Sequence, residues 1–256
     1  MAKQVSHTKA VESIGKRIRP VDEISPHAKV LVYGRNKNGK TKFAATAPKV
    51  LIIDIDEEGT RSAVGSGAQV VEVSTFDEVA HVYWYLKAGN HGYKSVAIDT
   101  ITALQNAALR KVLGEAEDRD PTREPSTPDR RTWGRANQLV KGLLLDFRNL
   151  PMNVVFLAQE RVINDEESDE AALHTVDLPA GSRAVALGCV GIIGRIYLRE
   201  AKVKGKKNPQ WEARMLVGSH EEYDTGNRVS TLPRIIRNPN MKNIIKEWRA
   251  NATEGE

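Results

Sequence analysis

Residues Gly34 to Thr41 read GRNKNGKT and fit the pattern G-x-x-x-x-G-K-[ST]. A loop of this composition presents successive backbone N–H groups as a cradle for phosphate oxygens. Gly34, Arg35, Asn36, Lys37, Asn38, Gly39, Lys40, Thr41 and Lys42 are therefore the residues expected to enclose a nucleotide. Lys40 would reach the β- and γ-phosphates, and the Thr41 hydroxyl would ligate Mg²⁺. A metal there needs a carboxylate facing Thr41. Asp99 ends the apolar run Ser95-Val96-Ala97-Ile98 and is placed to hold Mg²⁺ through a water. The competing role for Asp99 is N-cap of the helix that follows Thr100. Gln159, after Val154-Val155-Phe156-Leu157-Ala158, could sense a γ-phosphate or could bond only to backbone.

The elements that must position these groups are legible as short apolar runs separated by helical patterns. Val30 to Tyr33, Val50 to Ile53, Gln69 to Val73, Ser95 to Asp99 and Val154 to Ala158 read as buried strands. Between them, Thr41 to Ala47 opens a helix, Phe76 to Ala88 repeats Val79, Val82, Tyr83 and Leu86 at helical spacing, and Ile101 to Leu113 continues after Asp99. Trp133 to Asn149 carries Ala136, Leu139, Val140, Leu143, Leu144 and Phe147 on one face. Strands alternating with helices imply an α/β fold with a mainly parallel sheet flanked by helices. In such sheets ligands bind at the carboxyl ends of strands, where Asp54-Ile55-Asp56-Glu57-Glu58 stands after the second run.

Two polar stretches, Gly114 to Thr132 and Glu160 to Gly181, are expected to be long loops; the second holds five carboxylates among the six residues 165–170. Val190 to Arg199 and Trp211 to Val217 read as a β-hairpin whose tip carries Lys202, Lys204, Lys206 and Lys207. Those lysines suit nucleic-acid phosphates, and equally suit the blocking of edge-to-edge aggregation. A last helix runs from Asn240 to Ala250. Residues 1–28, with Pro20 and Pro26 and no periodicity, read as a loosely attached arm; 29–250 form one domain and 251–256 a tail.

Composition narrows the function class. The one cysteine, Cys189, excludes an internal disulfide or a Cys-rich metal site, and no apolar run approaches the ~20 residues that span a bilayer. The beginning, MAKQVSHTKA, has no hydrophobic export core, so a cytoplasmic setting without membrane attachment is expected. A net charge of +5 agrees with a polyanionic partner without requiring one. A metabolic kinase would need an acceptor-binding lid, and neither long loop carries the arginine cluster such a lid uses.

Taken in order, GRNKNGKT, LIIDIDEEG, VAIDT, the Trp133 helix, NVVFLAQE and the late hairpin followed by GNR and LP resemble the RecA-like P-loop ATPases. The closest resemblance is to the small phage-encoded RecA-like ATPases of single-strand annealing and recombination, over residues 29–250. It implies ATP and Mg²⁺ as cofactors, single-stranded DNA as a partner, and a single-strand binding protein as a further one. It further implies a homo-oligomer with ATP at subunit interfaces, completed from the late hairpin region, where Arg214 and Arg228 are offered. The resemblance makes Asp56 or Glu57 the carboxylate that orients the attacking water, Gln159 the γ-phosphate sensor, and the loop after Gln159 the DNA-contacting loop. That loop is acidic here, so DNA contacts are expected from Arg130, Arg131 and Arg135 or from the hairpin lysines. The rival expectation is a nucleotide-switched accessory or loader protein with negligible turnover.

Overall fold

The computed structural model describes residues 11–16, 18, 25–55, 59–122, 124, 127–164, 171–201 and 209–250. The apolar runs line up as β1 (Lys29–Gly34), β2 (Val50–Ile55), β3 (Gln69–Val73), β4 (Ser95–Asp99) and β5 (Asn153–Ile163). The chain adds β6 (Leu173–Val176), β7 (Ile192–Ala201), β8 (Gln210–Leu216), β9 (Gly226–Asn227) and β10 (Ile235–Arg237). Across the sheet the order is β10-β8-β7-β1-β5-β4-β2-β3, with β6 paired to β5 and β9 to β7. From β7 to β3 every neighbour is parallel; β8 and β10 extend that edge antiparallel.

Side chains alternate across a strand, so each strand serves both faces. Leu31, Tyr33, Val96, Ile98, Val154 and Phe156 point to one face. There they pack against α2 (Phe76–Ala88), α3 (Ile101–Arg119), α4 (Arg130–Arg148) and α5 (Ala180–Gly188). Val30, Val32, Ile52, Ala97, Val155 and Leu157 point to the other, under α1 (Lys40–Ala44) and α6 (Met241–Ala250). The covered faces explain why the central strands read as continuous apolar runs.

Helix α2 starts on a capping box: Thr75 accepts from the Glu78 N–H at 3.2 Å, and the Glu78 carboxylate accepts from the Thr75 N–H at 2.9 Å. The helix after the phosphate-binding loop is shorter than its sequence suggests. It ends at Ala44, and the turn through Thr46 and Ala47 leads to Pro48, which cannot continue it.

Both expected long loops shrink. α3 runs on through Gly114 to Arg119, where Glu115 pairs with Lys111 and Arg119 one turn away on either side. α4 begins at Arg130, capped by Asp129, whose carboxylate accepts from the Thr132 N–H at 2.6 Å. After Gln159 the chain does not leave the sheet: β5 continues to Ile163 and turns back as β6, an antiparallel ribbon pairing Glu160 with Val176. Helix α5 occupies part of the stretch read as loop, and residues 165–170 lie outside the described residues.

Candidate nucleotide site

The strand order puts β5 between β1 and β4, so the loop after β1 and the ends of β4 and β5 converge on one edge. A cavity of about 700 Å³ lies there, lined by Asn36, Lys37, Gly39, Lys40, Thr41, Lys42, Gly59, Ser62, Asp99 and Gln159. Two glycines of the motif have separate reasons. A Cβ on Gly34 would collide with the Ile196 carbonyl of β7, whereas Gly39 has open space around it but sits at φ 93°, a left-handed conformation that favours glycine. Lys37, at φ 65°, shares that rare region.

Lys40 is buried, 6% exposed, and its ammonium donates to the carbonyls of Gly34 (2.9 Å) and Arg35 (3.1 Å) and to Gln159 Oε1 (2.9 Å). Of the two roles open to Gln159, the structure thus shows a side chain turned into the cradle. Its backbone N–H donates to Thr102 Oγ1 at 3.1 Å, which fixes the strand end against α3. Thr41 donates to Asp99 Oδ2 at 2.5 Å. The N-cap of α3 is Thr100, whose hydroxyl accepts from the Ala103 N–H at 3.1 Å; Asp99 faces Thr41 instead.

One carboxylate at the end of the second strand received no role of its own from the sequence. Asp54 is 3% exposed, and neither of its oxygens has a hydrogen-bond partner. It lies in register with Asp99 on the neighbouring strand, continuing the Val50 and Ile52 row on the α1 side of the sheet just as Asp99 continues from Ala97. Burying an unpartnered carboxylate costs several kcal/mol unless a cation or its bound water compensates. Gly59 closes the site from the other side: a Cβ there would lie 3.4 Å from Thr41 Oγ1 and 3.7 Å from Asp99 Oδ2.

The oxygen-only set of Thr41, Asp99 and Asp54 fits Mg²⁺, which favours a few carboxylates plus substrate phosphates over an all-protein cage. Among the described residues no cluster of three His, Cys, Asp or Glu side chains could hold a metal by itself.

Next to Gln159, a polar network ties the β5–β6 ribbon down. Glu160 accepts from Arg195 Nη2 at 3.0 Å and pairs with His174 Nδ1 at 2.6 Å. Tyr33 donates to the His174 carbonyl at 3.0 Å, and the Arg195 guanidinium lies 4.5 Å from the Tyr223 ring centroid. Burial and the neighbouring carboxylates Asp224 and Glu160 push the Tyr33 hydroxyl above its ordinary pKa, so it remains a donor.

Of the other expected site residues, those that the structure describes are dispersed. Asp56 and Glu57, and Lys202, Lys204, Lys206 and Lys207, lie outside the described residues. Arg130, Arg131 and Arg135 are exposed on the first turns of α4, and Arg135 is paired with Glu115 at 2.9 Å. Arg214 pairs with Glu212 within β8, and Arg228 lies at the opposite end of the strands from Lys40. Within one chain Arg228 does not reach the cradle.

A phosphate-binding loop between a parallel strand and a helix, with Thr41 and Asp99 joined beneath it, defines a P-loop nucleotide-binding protein. The chain belongs to the AAA-domain family, whose model matches residues 27–229, and it is thereby a P-loop ATPase by class. No curated protein matches it. No helix among the described residues is long and apolar enough to cross a membrane.

Proposed function

We propose that this protein hydrolyses ATP with Mg²⁺ and couples the nucleotide state to single-stranded DNA, in recombination or replication of the annealing or strand-exchange type carried by phages. The observation that carries the reading is the hydrogen bond between Lys40 and Gln159. A γ-phosphate entering the cradle competes for the Lys40 ammonium, and Gln159 is then free to turn toward the phosphate itself. Because Gln159 roots the β5–β6 ribbon, that exchange converts phosphate occupancy into a change at the ribbon. Mg²⁺ would be held by Thr41 and Asp99, with Asp54 toward its hydration shell, and would neutralise charge on the β- and γ-phosphates. Asp56 or Glu57, after β2, orients the attacking water.

The DNA part of the reading is supported by the net charge of +5 and by the exposed Arg130 and Arg131 on one helix end. It is supported too by the resemblance to phage RecA-like annealing ATPases, which also suggests a homo-oligomer with interfacial ATP sites, Arg228 acting from a neighbour, and a single-strand binding protein as a further partner. Turnover with and without oligodeoxythymidine tests it: stimulation of ATP hydrolysis by the single strand is expected. Nucleotide binding without measurable turnover would replace this reading with that of a nucleotide-switched loader. Comparing Asp56→Asn with Glu57→Gln at saturating ATP then assigns the base, since loss of a water-orienting carboxylate lowers kcat and spares binding.

A further inference from the structure

At the end of the strands opposite the P-loop lies a second cavity, of about 630 Å³, at the starts of β1 and β7 and just before β5. Among the described residues its lining includes His27, Lys29, Arg148, Cys189, Arg228 and Trp248, and no aspartate or glutamate. Open α/β sheets bind their nucleotides at the carboxyl ends of strands, so this cavity is no extension of the site already described.

The cations are brought together from three separate stretches of chain, and among the described residues no anion stands between them. Lys29 donates to the carbonyls of Leu150 (2.7 Å) and Met152 (2.6 Å), which leaves one of its three N–H groups. Arg148 donates to Asn149 Oδ1 at 3.1 Å. Neither these two nor Arg228 forms an ion pair among the described residues. The ring Nδ1 of His27 is buried without a partner.

Their charges are felt mutually. Burial, then the Arg148 charge, holds the Lys29 ammonium down to about 8, and His27 is lowered by burial and by Lys29 and Arg249. Like charges crowded around a cleft raise each other's energy, and an anion in the cleft removes that cost. The walls are already set. Trp248 donates its indole N–H to the Ser25 carbonyl at 3.0 Å, and it packs so closely over Gly191 that a Cβ there would strike its ring.

We infer that this cleft is a second anion site, built for a phosphate group: the Arg148 and Arg228 guanidiniums supply planar forks and Lys29 a fixed point charge, the combination that suits phosphate oxygens. The phosphate could be a free one, as pyrophosphate, or the terminal phosphate of an oligonucleotide. Both present the same oxygens to the same three cations.

Because the P-loop also takes phosphates, the test uses the full chain carrying Lys40→Ala, with pyrophosphate as the calorimetric probe. Saturable binding should persist in that protein and weaken at least tenfold when Arg148→Ala and Arg228→Ala are added. Both arginines sit at the surface, so circular dichroism should show the fold retained. In the second arm, tetradeoxythymidine with a 5′-phosphate is compared with its 5′-hydroxyl form. Arginine-dependent binding of the phosphorylated form alone marks the strand terminus as the source, while arginine-dependent binding of pyrophosphate alone marks the free anion. If the Lys40→Ala protein binds neither probe, or binds them equally well without Arg148 and Arg228, the inference is overturned.

Discussion

Lys40 and Asp54 are two buried charged residues given roles in the proposed nucleotide site, and those roles run in opposite senses. Lys40 is buried with three acceptors around it, so Lys40→Ala removes a charge aimed at the phosphates and leaves Gln159 without that donor. ATP turnover should fall by several kcal/mol of barrier, at least a thousandfold, and unchanged hydrolysis would remove the site assignment. Asp54 is a carboxylate buried without a partner beside Asp99, an arrangement that weakens the protein without ligand. Asp54→Asn should therefore raise the melting temperature of the nucleotide-free protein while lowering Mg²⁺ affinity in the presence of ADP by about tenfold, as loss of a residue behind a metal's own ligands commonly does. Thermal melts and Mg²⁺ titration of the ADP complex check the two halves separately. A variant that melts lower and binds Mg²⁺ normally would make Asp54 a structural residue.

Among the elements, the β5–β6 ribbon is the one through which the proposed coupling runs. It is held at its root by Glu160, which bridges His174 of β6 and Arg195 of β7 with its side chain only 3% exposed. Glu160→Gln keeps the shape and removes the charge, leaving Arg195 with a weaker acceptor. Backbone amides of residues 160–163 and 173–176 should then exchange faster in the nucleotide-free state, while those of β1 and β4 keep their protection. Equal protection in both proteins would show that the network does not anchor the ribbon. Helix α4 makes a plainer case. Leu144 is fully buried against the sheet, so Leu144→Ala should cost about 2–5 kcal/mol in denaturant unfolding without changing the cradle.

At the scale of the molecule, the strands separate two anion-seeking ends, and pH and salt should distinguish them. In the second cleft, Lys29 faces Arg148 from α4, Arg228 beyond β9, and His27; the Cys189 thiol, pushed up to about 11 by burial, stays neutral. Lys29 is charged below about pH 8 and neutral above it, so pyrophosphate affinity of the Lys40→Ala protein should fall as pH rises through 8. The same group carries a sign for stability. Between pH 8 and its ordinary 10.5 the unfolded chain holds the Lys29 proton and the folded chain does not, so this group's contribution to stability rises with pH across that window. For single-stranded DNA, log affinity should fall against log salt by about 0.7 per phosphate contact. Changing Arg130, Arg131 and Arg135 to Ala should flatten that slope by up to about two units. An unchanged slope would move the contacts away from α4.

Much of the chemistry was legible locally. The P-loop residues, the strand ending in Asp99 and the bounds of α2 follow from motif spacing, apolar runs and helical periodicity, each contained within a short stretch of chain. Loops were overread for a related reason: Gly114 and Pro128 signal breaks, yet the pairing of Glu115 with Arg135 across two helices and the β6 partner of β5 lie beyond a local window. What only the tertiary structure decided is adjacency. Inserting β5 between β1 and β4 places Gln159 against Lys40, 119 positions away, and pairing β2 with β4 sets Asp54, which has no donor of its own, beside Asp99. The same packing gathers Lys29, Arg148 and Arg228 around one cleft. Strand order and helix docking are set by burying apolar faces over long separations, and no spacing in the chain records which residues that burial brings together.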